Sequence, residues 1–121
     1  MKQVLIVDDS EPIRERLAAM LAESAQINVA GQAGNGREAW EAVRFLKPDT
    51  VILDIRMPGS SGIALLKQIK ARYPEMTVIM LTNLNDARYR QLCRHLGADH
   101  FLNKTIEFEK IVDTIVDNPA R

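Results

Sequence analysis

A doubly wound α/β fold with one five-stranded parallel sheet is predicted by three features of the chain. Five short apolar runs rich in β-branched residues recur along it. A stretch of helical periodicity fills each gap between them. Each run is too short for a helix and fits a strand buried on both faces. Parallel strands joined by right-handed crossovers then give three layers, helix on sheet on helix.

The strands are expected at residues 3–7, 27–33, 50–53, 77–81 and 100–102. In the first helix Ile13, Leu17, Met20 and Leu21 form one stripe, with Ser10 as N-cap and Pro12 suited to the first turn. Ala39, Val43 and Leu46 form the second stripe, ended at Lys47-Pro48 because a residue before proline avoids the helical region. Leu65, Leu66 and Ile69 make the third, ending near Pro74, and Tyr89, Leu92, Cys93 and Leu96 the fourth, stopped by Gly97. Phe108, Ile111, Val112 and Ile115 make the fifth. Segments this short, with helices on both faces, favour the flavodoxin-like order 2-1-3-4-5. Strands 1 and 3 are then neighbours, and a crevice opens at their carboxyl ends.

Size and charge narrow the function classes. The 121 residues, 13.6 kDa, correspond to one domain spanning 1–121, with a folded surface of roughly 6,600 Å² by area scaling. Lys+Arg and Asp+Glu each number 16, so the net charge is zero and no global electrostatic sleeve for nucleic acid or anionic lipid exists. One cysteine, Cys93, excludes an internal disulfide and a Cys-cluster zinc site. No apolar run approaches the roughly 20 residues of a membrane span, and acid arrives at Asp8, so a cytoplasmic location is expected.

The chemistry is expected in the crevice. Strand 1 runs into Asp8-Asp9 and strand 3 into Asp54, which brings three carboxylates together. At about 5 Å and an effective dielectric of about 20, each like-charge pair costs on the order of 3 kcal/mol. Either some of them stay protonated or a cation sits among them. Oxygen ligands without nearby His or Cys suit Mg²⁺ before Ca²⁺, and not Zn²⁺. Thr82 at the end of strand 4 and Lys104 after strand 5 add a hydroxyl and an ammonium suited to phosphate oxygens. Nucleophile, metal, hydroxyl and ammonium together describe an acyl-phosphate site on Asp54.

At these residues the chain closely resembles the receiver domain of two-component response regulators, with a CheY-like fold. The motifs are Val4-Leu5-Ile6-Val7-Asp8-Asp9, Asp54-Ile55-Arg56-Met57-Pro58-Gly59, Leu81-Thr82 and the run from Gly97 to Lys104. The resemblance implies that Asp54 accepts a phosphoryl group from a phosphohistidine on a sensor histidine kinase or a histidine phosphotransfer protein. It implies Mg²⁺, with Mn²⁺ as a substitute, held by Asp9, Asp54 and the backbone carbonyl of Arg56, with Asp8 acting through metal-bound water. Thr82 and Lys104 would hold phosphoryl oxygens, and Phe101 matches the family's rotating aromatic. The readout surface would be the fourth helix, fifth strand and fifth helix, contacting a downstream protein or a second copy.

The chain departs from the common pattern in places. Thr105 follows Lys104 where many receivers carry proline; this and Met57-Pro58-Gly59 look NarL-like. Asn83 stands where a smaller residue is usual and is expected to narrow access to the phosphoryl group. A bulky Arg56–Leu84 pair, at positions that modulate phosphoryl loss in the family, is expected to prolong the phosphorylated state. Phe101 is expected in the core, Cys93 as a buried small hydrophobe, Trp40 as a packed or half-exposed helix residue, and His95 and His100 as structural. Arg88, Arg90 and Arg94, joined by His95 if protonated, give the fourth helix a basic face, either merely solvated or docking an acidic partner or a second copy.

Other functions fit less well. A Mg²⁺-dependent phosphatase of the haloacid dehalogenase kind wants a second acid two residues after the nucleophile, where Arg56 stands. A degenerate receiver would lack one of Asp9, Asp54, Thr82 or Lys104, and a flavin site would not follow an acidic loop. The expectation is a phosphoacceptor signalling switch that is not an enzyme in its own right and binds no membrane or nucleic acid directly. With its tail at Asn118-Pro119-Ala120-Arg121 it reads as a stand-alone receiver; as a fragment it would belong to a DNA-binding transcriptional regulator.

Overall fold

Alternation along the strands sorts the apolar residues onto two faces. In β1 (Lys2–Val7), β3 (Thr50–Leu53) and β6 (Thr77–Thr82), Leu5, Val7, Val51, Leu53, Val78 and Met80 point to one side of the sheet. Val4, Ile6, Ile52, Ile79 and Leu81 point to the other. On the first side they meet α2 (Gly36–Leu46), α3 (Gly62–Arg72) and α4 (Ala87–His95). On the second they meet α1 (Glu11–Ala22) and α5 (Ile111–Asp117). A strand buried on both faces needs apolar residues at every position, which is why these runs read as continuous.

The computed structural model describes residues 1–84 and 86–118; Asn85 and the tail residues 119–121 lie outside them. With β2 (Ile27–Ala33) and β7 (His100–Asn103), the five long strands are parallel in the order β2-β1-β3-β6-β7. That is the order 2-1-3-4-5 expected from the sequence, in three layers. The surface is 6596 Å², in line with the scaling expectation.

Local signals place the helix ends. Ser10 Oγ accepts from the Ile13 amide at 3.3 Å, and Pro12 sits in the first turn of α1. Asn35 Oδ1 accepts from the Glu38 amide at 2.9 Å at the head of α2. Lys47 closes α2 in the left-handed region, φ 46°, immediately before buried Pro48. Gly97, φ 103°, turns the chain out of α4.

Several expectations change. A two-stranded antiparallel ribbon, β4 (Arg56–Met57) with β5 (Ser60–Ser61), occupies the loop after β3. Strands of two residues carry no periodicity, so pattern reading has nothing to detect. The fifth helical stripe begins as a 3₁₀ turn, Phe108–Lys110, before α5 proper. Leu46 and Leu92, read as core positions, are 40% and 42% exposed, because each lies at the flank of its helix's buried stripe. Phe101 is half-buried at the rim of the α2–α3–α4 core, since β7 is an edge strand with one neighbour.

One ion pair ties the edge of the sheet to its helical layer. Lys70 Nζ on α3 donates to Asp99 Oδ2 at 2.9 Å and to the Met76 carbonyl at 2.6 Å, while Asp99 Oδ2 also accepts from the Val78 amide. Both side chains are nearly buried, so removing one partner takes away the opposite charge that its neighbour is paired with in low dielectric. Asp99→Ala is expected to lower unfolding free energy by about 3 kcal/mol in urea denaturation. Arg37→Ala, which breaks the exposed Arg37–Glu41 pair, is expected to change it by less than about 0.5 kcal/mol. Equal losses would show that burial does not govern these pairs.

Candidate functional site

Strand register assembles the site. Val7 pairs with Leu53, so Asp8 and Asp54, each one residue further on, emerge side by side. Their backbones remain tied to the sheet: the Asp8 amide donates to the Ala33 carbonyl at 3.1 Å and the Asp54 amide to the Val7 carbonyl at 3.3 Å. Leu53 pairs with Met80 and Thr82 with Asn103, which brings Thr82 and Lys104 to the same carboxyl edge. The Lys104 amide donates to the Thr82 carbonyl at 2.9 Å.

One oxygen from each of Asp8, Asp9 and Asp54 lies within 4.8 Å of the others. Asp8 and Asp54 are buried, at 2% and 7% exposure, and Asp9 is exposed. The charge problem posed by the sequence has a solution it did not consider. Lys104 Nζ donates to Asp8 Oδ2 at 2.6 Å and to Asp54 Oδ2 at 2.5 Å, so a tethered ammonium bridges the two buried acids. Burial alone would lower the Lys104 pKa, but hydrogen bonds and charge from Asp54 and Asp8 outweigh it and leave it raised. Lys104 is therefore an ammonium throughout the neutral range.

The rest of Asp8 is also engaged. Its Oδ1 accepts from the Ser10 amide at 2.9 Å, and its carbonyl from Arg14 Nη1 at 2.6 Å. Asp9 makes no hydrogen bond or ion pair among the described residues, and it lines an open cleft of about 470 Å³ with Gly36, Arg37, Pro58 and Gly59. The acids thus divide into a fixed one, a shared one and a free one. All donors are carboxylate oxygens, with no His or Cys in the group, which fits a hard divalent cation; an acidic pocket able to bind a metal is present.

The remaining predicted residues fall around this group. Thr82 is buried and its Oγ1 accepts from the Leu84 amide at 3.2 Å. Leu84 packs on the core, whereas Arg56 is exposed on the ribbon. Asn83 is exposed, and its Oδ1 accepts from the Thr105 hydroxyl at 2.9 Å, joining the loops after β6 and β7. The arginines of α4 do not form one open face: Arg88 pairs with Asp86 and Arg90 lies on Phe101, whereas Arg94 is exposed with no such contact among the described residues. Cys93 is buried and burial pushes its thiol pKa up, as expected of an inert core residue. Trp40 packs against Tyr73, and His100 Nε2 shares a 2.8 Å hydrogen bond with Asn118.

Two supporting residues escaped the sequence reading. Arg14, on α1 between stripe residues Ile13 and Leu17, reaches the Asp8 carbonyl, a contact that its polar type at that position does not signal. Gly62, at the head of α3, lets that helix abut the Asp54 peptide: a Cβ there would stand 1.8 Å from the Asp54 carbonyl oxygen. A glycine at a helix start, eight residues after Asp54, was the available signal. Gly62→Ala is expected to cost about 3 kcal/mol in denaturant unfolding, because the obstruction is backbone and cannot swing aside. An unchanged midpoint would remove Gly62 from the support of Asp54.

Comparison with known proteins agrees with this geometry. The chain is 35% identical over 116 residues to the transcriptional regulatory protein LnrK of Bacillus subtilis, covering 96% of the chain and 53% of LnrK. It thus spans about half the length of that relative. Protein CcdB of the same organism is 35% identical, with 95% of each chain covered. The signal receiver domain of the response regulator NarL from Mycobacterium tuberculosis superposes with a TM-score of 0.89 at 28% identity, over 96% of this chain and 94% of that one. The sequence profile of the response regulator receiver domain matches residues 4–116, and the chain belongs to that family of phosphorylation-controlled signalling switches.

Proposed function

We propose that Asp54 takes a phosphoryl group from a phosphohistidine on a sensor histidine kinase or histidine phosphotransfer protein, and that the chain signals by altered protein contacts. The observation that carries this reading is the shared ammonium: Lys104 joins Asp8 to Asp54 beside the free carboxylate of Asp9. In the transfer the P–N bond to the donor imidazole breaks, the electron pair staying on nitrogen, and a P–O bond to a carboxylate oxygen of Asp54 forms.

Asp9, Asp54 and the backbone carbonyl of Arg56 would hold Mg²⁺, or Mn²⁺ in its place, with Asp8 acting through bound water. When bound, the ion neutralises the negative charge that the acids and the phosphoryl group bring together. Lys104 gives up one carboxylate to pair with a phosphoryl oxygen, and the Thr82 hydroxyl turns to another. Phe101 follows Thr82 inward. The output face is α4, β7 and α5, presented to a downstream protein or a second copy, with no direct role in nucleic-acid binding. The chain promotes only its own phosphorylation and dephosphorylation, in the cytoplasm with its kinase.

We read residues 1–121 as one receiver domain. CcdB, 95% of which is covered by the match, is a relative of receiver length. The greater length of LnrK favours a second reading, as the receiver part of a longer regulator.

Incubation with Mg²⁺ and a small phosphodonor, followed by intact mass, is expected to add one phosphoryl group to the wild type and none to Asp54→Asn. Equal labelling of the two would place the nucleophile elsewhere. Replacing both Arg56 and Leu84 by alanine is expected to shorten the phosphorylated lifetime by about threefold, by admitting water. An unchanged or longer lifetime would remove that pair from control of hydrolysis.

A further inference from the structure

Among the described residues, both directed interactions of the Arg90 side chain go to one residue. Its guanidinium carbon lies 4.7 Å from the centroid of the Phe101 ring, and its Nη1 donates to the Phe101 carbonyl at 3.2 Å. The neighbouring arginines of α4 do nothing of the kind: Arg88 pairs with Asp86 in its own cap, and Arg94 is exposed. The contact therefore bridges helix and edge strand, and ring and peptide are gripped together.

The surroundings favour this placement over an incidental one. Arg90 and Phe101 are each half-buried, so the cation–ring contact is less screened than on an open surface. The Glu107 carboxylate, held below its usual range chiefly by the Asn103 amide, also feels the Arg90 charge and helps keep the guanidinium at this end of β7. Beside the pair lies a partly enclosed cavity of about 200 Å³, lined by Arg90, Arg94, Ala98, Asp99, His100 and Phe101. Phe101 has no hydroxyl, so no phenolic hydrogen bond fixes its ring, and Arg90 is the polar group that holds it.

We infer that Arg90 is a positioning residue that latches Phe101 in its half-exposed place and so sets how readily the domain takes up a phosphoryl group. The inference rests on the reading in which Phe101 turns inward when Asp54 is phosphorylated. Turning breaks the ring contact, so the latch opposes phosphorylation, and releasing it shifts the balance toward the inward ring.

The test uses the full chain with fluorinated phenylalanine, the Phe101 signal being assigned by its loss in Phe101→Leu, under the same Mg²⁺ and phosphodonor conditions. Arg90→Ala is expected to move the Phe101 resonance of the unphosphorylated protein toward its phosphorylated position. It is also expected to raise the phosphorylation rate about fivefold, which at about 1.4 kcal/mol per decade is about 1 kcal/mol. Arg90→Lys, which keeps the charge but loses the flat stacking group, is expected to fall between, and Arg94→Ala to match the wild type. Thermal unfolding of each variant separates a latch from a loss of fold. A wild type that is phosphorylated normally while Arg90→Ala leaves resonance and rate unchanged overturns the latch alone. A wild type that takes no phosphoryl group overturns the reading beneath it.

Discussion

Two buried carboxylates need a cation, and in this protein the cation is supplied by the chain itself. Asp8 and Asp54 emerge from adjacent parallel strands because Val7 and Leu53 are in register, and the Lys104 ammonium lies between them. Without that ammonium the repulsion, on the order of 3 kcal/mol, would consume a large part of a small domain's stability. With it, Asp54 is held in place beside Asp8. On the proposed function the same lysine would also meet a phosphoryl oxygen, so one side chain would serve as resting counter-ion and phosphate ligand.

The fold exists to hold that arrangement rigid. Strands apolar on both faces pack between α1 and α5 on one side and α2, α3 and α4 on the other, leaving polar residues to appear where each strand ends. Gly62 lets α3 come up against the Asp54 peptide, and Arg14 fixes the Asp8 carbonyl from α1. The opposite edge of the sheet is pinned by Lys70 and Asp99, which frees the loops above the site to carry function rather than stability.

Much of this was legible in the residues. Continuous apolar runs gave the parallel strands, and Ser10, Pro12, Gly97 and Lys47-Pro48 marked helix ends through local backbone chemistry that tertiary packing did not override. The acids, Thr82 and Lys104 were legible because each directly follows or ends a strand. What escaped depends on contacts between distant segments. The ribbon of Arg56–Met57 with Ser60–Ser61 is too short for a pattern. The half-exposure of Phe101 follows from β7 being an edge. The ammonium bridge requires knowing that a flexible lysine reaches back between two acids instead of out to solvent, and no spacing encodes that.

A divalent cation in the acidic pocket would compete with Lys104 for the same carboxylates, and that competition is the most direct test. Calorimetric titration of Mg²⁺ into the wild type and Lys104→Met, with unfolding curves to establish that both are folded, measures it. The ammonium bridge predicts Mg²⁺ binding at least about fivefold tighter in Lys104→Met, because a rival positive charge has gone. Equal or weaker binding in the variant would contradict it.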